Sequence, residues 1–194
     1  DEAAEFAWMK QVGQESGRPL WFLMTDRYSD PDRWKRLMGN VHEARDAGAD
    51  VTAQIAGRAV GIILGFSTSL TPFSGRPTFA SLEGMPQAER LAKLKDPEIR
   101  AQILGEENSD VLLNKLPPLQ RAIASRWDRM YVLNDPPEYE PKPEAAVEEA
   151  ARLAGKSPQE FVYDFMAEGD GGGMLLFPVT NFVTGDPEPV HEMM

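Results

Sequence analysis

Cysteine is absent from this chain, and histidine occurs only twice, at His42 and His191. Without cysteine there is no disulfide, no cysteine-based metal site and no thiol nucleophile. Two histidines so far apart, with no cysteine beside them, do not supply the three or four ligands of a zinc site. Long apolar runs are missing as well. No stretch approaches the roughly 18 unbroken apolar residues of a membrane-spanning helix. The opening residues, Asp1-Glu2-Ala3-Ala4-Glu5, carry no basic segment ahead of an apolar one, so no signal peptide is read from them and a cytoplasmic location is expected. Positive charge is scarce: 20 Lys and Arg face 31 Asp and Glu, a net charge of -11. That balance argues against a nucleic-acid partner, which needs a surplus of Lys and Arg, and against an anionic membrane surface.

What is present suits a soluble globular protein. The 194 residues are 42% hydrophobic and 26% charged, about one domain's worth. Residues 1–16 read as a helix with Phe6, Met9 and Val12 on one face, stopped by Gly17-Arg18-Pro19. Leu20-Trp21-Phe22-Leu23-Met24 is too short for a helix and reads as a strand covered on both faces. Asp30 and Pro31 are expected to open a second helix, whose apolar face is Trp34, Leu37, Met38, Val41 and Ala44 and whose end is Gly48. Val51 to Ile55 is the next strand. Strand, helix and strand within about 35 residues is the βαβ pattern of a parallel sheet.

Residues 66–129 break this rhythm. A turn-rich loop runs from Ser67 to Pro77, and short helical patterns follow at 78–82, 86–95, 97–104 and 119–127. Strand-like segments then return at Met130–Leu133 and Met174–Val179, with helices at 143–153 and 158–168 between them. The expected division is residues 1–65, a βαβ part; 66–129, a helical insertion that can act as a lid; and 130–194, a further α/β part. Residues 135–170 hold ten acids against three bases, which reads first as a solvated helical surface.

Several chemistries are excluded by pattern. The glycines of Gly169-Asp170-Gly171-Gly172-Gly173 precede a strand, whereas a dinucleotide site needs strand, glycines and then a helix N-terminus. No GxSxG elbow surrounds any serine. Glu106-Glu107 and Glu148-Glu149 are neighbours on exposed faces and do not read as a glycosidase pair. The most informative stretch is Gln54-Ile55-Ala56-Gly57-Arg58. A polar Gln54 ends an apolar strand and Arg58 follows in the loop, at the strand ends where parallel α/β folds place their sites. Together they can bind a carboxylate, Arg as a two-pronged donor. Equally, Gln54 can bond within the sheet and Arg58 can tie down the following loop.

The order and spacing of Gly17-Arg18-Pro19, Pro31-Asp32-Arg33-Trp34, Gly48-Ala49-Asp50-Val51, Gln54, Gly57-Arg58, Leu70-Thr71-Pro72-Phe73, Arg76-Pro77-Thr78 and Asp96-Pro97-Glu98-Ile99-Arg100 resemble the amidohydrolase family that contains the N-acyl-D-amino-acid deacylases. Leu153 to Pro158, Asn181-Phe182 and Val190 to Met194 continue the likeness, so it spans nearly the whole chain. The resemblance implies part of a metal-dependent (β/α)8, TIM-type barrel with a mostly helical insertion over its site. A complete barrel takes about 250 residues, so the chain is expected to be an interior piece. The implied reaction is hydrolysis of the amide C–N bond of a small N-acyl amino acid by a metal-activated water. Zinc or another divalent metal belongs to the full-length parent and none to this piece. The family's fifth strand ends in a Ser-His-His-Lys-like motif that supplies a metal ligand. Here the matching strand ends Leu23-Met24-Thr25-Asp26, so no metal ligand and no catalytic residue are assigned and the piece alone is expected to be inactive. The implied substrate-binding residues are Thr25, Gln54, Arg58 and Asn181 at the strand-end mouth, with the loop around Phe73 helping to cover it. The expected partners are a small-molecule substrate and, through unpaired strand edges, a second copy of the chain. The alternative is a non-catalytic α/β module that binds a partner or ligand.

Overall fold

The computed structural model describes residues 2–138 and 140–194 and shows a mixed α/β fold. The chain forms two compact units, residues 1–60 with 178–194, and residues 61–177.

The first unit contains the parallel strand–helix–strand pattern read from the sequence between Leu20 and Ile55. Helix α1 (Glu2–Ser16) leads into strand β1 (Leu20–Leu23); helix α2 (Arg33–Asp46) follows, then strand β2 (Val51–Gln54). β1 and β2 are parallel, with Leu20 opposite Val51 and Leu23 opposite Gln54. Trp34, Leu37, Val41 and Ala44 recur at helical spacing and are all buried, so α2 lays that stripe on the sheet. Its end is a Schellman motif. Gly48 (φ +85°) donates to the Arg45 carbonyl at 2.9 Å and Ala49 to the Ala44 carbonyl at 2.9 Å. Glycine is required there because a side chain is strained at that φ.

Three expectations in this unit are corrected. The buried face of α1 is Phe6 and Gly13, and Val12 is exposed. At about 100° per residue, positions 6 and 13 nearly superimpose, whereas 6 and 12 diverge widely. Asp30 does not cap α2; its carboxylate pairs with Arg36, the Asp30 carbonyl accepts the Arg33 N–H at 3.2 Å, and the helix begins two residues beyond Pro31. β1 is covered on one face only. Leu20 and Phe22 pack on the core while Trp21 and Leu23 are 60% and 70% exposed, because no second layer of described residues lies against them. The core also holds Val190 and Met193 of helix α10 (Glu188–Met193), the last element of the chain.

The second unit holds the sequence's helical middle. It contains α3 (Pro77–Ser81), α4 (Gln87–Leu94), α5 (Pro97–Gly105), α6 (Asp110–Leu113), α7 (Pro118–Ile123), α8 (Val147–Leu153) and α9 (Pro158–Ala167). A three-stranded sheet is ordered β3 (Val60–Gly65), β5 (Met174–Thr180), β4 (Tyr131–Val132). β4 runs antiparallel to β5, so the returning strands do not continue the parallel rhythm of β1 and β2. With sheets of two and three strands, the described residues close no barrel.

Local rules account for these helices well. α9 opens with a capping box: Ser157 Oγ accepts the Glu160 N–H at 3.3 Å and Glu160 accepts the Ser157 N–H at 3.0 Å. α5 has Pro97 at its first position and Asp96 accepting the Glu98 N–H at 2.8 Å. Gly173 is fixed by a close approach rather than being a loose connector: a Cβ there would fall 2.0 Å from the Phe165 carbonyl oxygen.

Candidate functional site

The strongest chemical constellation in the first unit sits just past the carboxyl ends of β1 and β2. Asp26, three residues after β1, is 1% exposed. One carboxylate oxygen accepts the Asn181 backbone N–H, and the other accepts the Val183 N–H at a long 3.5 Å. No side-chain donor and no cation pairs with it among the described residues. This is unusual, since a buried charge is normally paired.

Asn181 is fully buried and adopts φ +62°, the left-handed conformation asparagine tolerates better than most residues. Its Nδ2 donates to the Ala56 carbonyl at 2.8 Å, just beyond β2. That bond fixes which end of the amide is which, and Oδ1 is left buried without a donor. The 181–183 segment is thus clamped to the ends of both parallel strands, to β1 through Asp26 and to β2 through Ala56.

Asp26 also forms part of the wall of a cavity of about 240 Å³. Its other acids are Asp32, Asp186, Glu188 and Glu192, and its one basic residue is Lys35. The Lys35 ammonium sits 2.8 Å from Asp32 and 5.5 Å from the centre of the Trp34 ring. The hydrogen bond to Asp32, with its charge and that of Glu192, raises the Lys35 pKa above its ordinary value. Five carboxylates against one ammonium make the cavity strongly electronegative.

The structure brings together part of the sequence-based site. Thr25 and Asn181 flank Asp26 along the chain or through its bonds; Thr25 is half-buried. Gln54 ends β2 and is exposed, so it is not consumed inside the sheet. Arg58 is exposed, and one of its guanidinium nitrogens donates to the neighbouring Ala59 carbonyl at 3.2 Å. Phe73 lies in the second unit. It is completely buried, with its ring 5.2 Å from Tyr163, 5.9 Å from Phe66 and 5.7 Å from Trp127. The same cluster buries the Tyr163 hydroxyl on the Leu94 carbonyl at 2.9 Å, and burial pushes the Tyr163 pKa well up. Phe73 is therefore a core side chain of its unit.

Sequence reasoning passed over Asp26 and Trp34 as site residues. The usable signal for Asp26 was an acid immediately after the carboxyl end of an apolar strand. Trp34 gave no such signal, because its helical spacing reads equally as core. As to a metal, no group of three or more His, Cys, Asp or Glu among the described residues converges as ligands. His42 and His191 are both exposed, and Asp26 is engaged by backbone N–H groups. The donors here do not fit a divalent-metal centre. Nor is any helix among the described residues long and apolar enough to cross a membrane.

Compared with known proteins, the chain matches no family model, no curated protein and no solved structure.

Proposed function

We propose that this chain is part of an amidohydrolase that cleaves the amide bond of a small N-acyl amino acid, and that it supplies substrate-binding wall rather than the reacting groups. The observation that carries the reading is the parallel β1–α2–β2 unit, whose carboxyl ends hold Thr25, Gln54 and the Asp26–Asn181 clamp in one place. Parallel α/β folds bind ligands at that end of the sheet, where loops rather than ladder bonds decide the chemistry. Gln54 and Arg58 are exposed at the end of β2 and in the loop after it. In this role Arg58 donates two hydrogen bonds to the substrate carboxylate and Gln54 supplies a further amide hydrogen bond.

The metal that activates water in such enzymes belongs, in this reading, to parts of the parent outside these residues. This chain's contribution is to orient the substrate and exclude water.

The test is hydrolysis of N-acetyl-D-amino acids by a longer product of the same gene, with this chain alone as a control. The longer protein is expected to release free amino acid and the 194-residue chain is not. Arg58→Met in the longer protein is expected to raise KM with kcat nearly unchanged, the pattern of lost uniform binding. A longer protein that hydrolyses no N-acyl amino acid leaves the non-catalytic binding module as the surviving reading.

A further inference from the structure

We draw no further inference here: the strongest candidate, the cavity of about 240 Å³ past the carboxyl end of β1, carries nothing, because its acids other than Asp26 are exposed surface groups and both Asp26 carboxylate oxygens are engaged by backbone N–H groups.

Discussion

Replacing Asp26 by alanine tests the clamp directly. The carboxylate accepts the N–H groups of Asn181 and Val183, in residues 0% and 9% exposed. Removing it strands the Asn181 donor in a place water does not reach, at about 1–3 kcal/mol for an unsatisfied buried group. The 3.5 Å bond to Val183 is long and adds little. Against this, alanine relieves a buried, unpaired charge, which returns part of the loss. The balance is a destabilisation of the first unit by about 2 kcal/mol. Asp26→Asn keeps one oxygen able to accept from Asn181 and is expected to cost less than half as much. Urea unfolding followed at Trp34, the buried tryptophan of the first unit, reads both variants. A cost below about 0.5 kcal/mol for Asp26→Ala, the range of ordinary surface changes, would refute the claim that Asp26 fastens the 181–183 segment.

Three other outcomes are expected. Phe73→Ala should destabilise the second unit by about 3–5 kcal/mol, the usual cost of emptying an aromatic core position; a thermal shift of a degree or less would instead make Phe73 a surface cover. Asp164 is pushed up by burial, but the hydrogen bonds of Arg100 at 2.7 and 3.0 Å and of Lys156 at 2.8 Å outweigh that and hold its pKa below the ordinary carboxylate value. A folded-state pKa that is lowered stabilises above the unfolded value and is lost as pH falls through the folded one. Asp164→Asn should thus lose about 1 kcal/mol at pH 7, a modest figure for side chains about a third exposed, and the difference from the parent should shrink as the pH falls from the ordinary carboxylate value of 3.8 through the lower folded one in acid-unfolding curves. Trp21 and Leu23 are exposed on a strand whose outer edge pairs with no strand among the described residues, so the chain should self-associate in sedimentation at high concentration. Trp21→Ser with Leu23→Lys should return it to monomer at nearly unchanged stability; a parent chain that is monomeric throughout refutes this.

Much of the fold was legible because local physics decided it. The α2 stripe, the Gly48 stop, the capping box at Ser157 and the prolines opening α3, α5, α7 and α9 depend on residues within a few positions of one another. What was not legible depended on distant residues. β1 reads as a strand covered on both faces because Leu20 to Leu23 is apolar throughout, yet composition cannot say whether a second layer exists to cover Trp21 and Leu23. β4 is two residues long and antiparallel to β5, and nothing in Tyr131-Val132 specifies direction. Helix α1 was mislaid by a third of a turn because a spacing of three, followed twice, drifts off the true face.

The site shows the same division in a sharper form. Thr25, Gln54, Arg58 and Asn181 follow from one rule, that polar residues just past the ends of parallel strands are available for chemistry. Asp26 obeys that rule equally well, and its significance comes from a bond spanning 155 positions in the chain. Such a contact has no local signature. A glycine at 181 would adopt φ +62° freely, but it could not reach the Ala56 carbonyl; asparagine accepts the backbone cost and joins the two strand ends. The outcome is a buried carboxylate and a buried amide oxygen in one small region, both acceptors, neither matched by a side-chain donor.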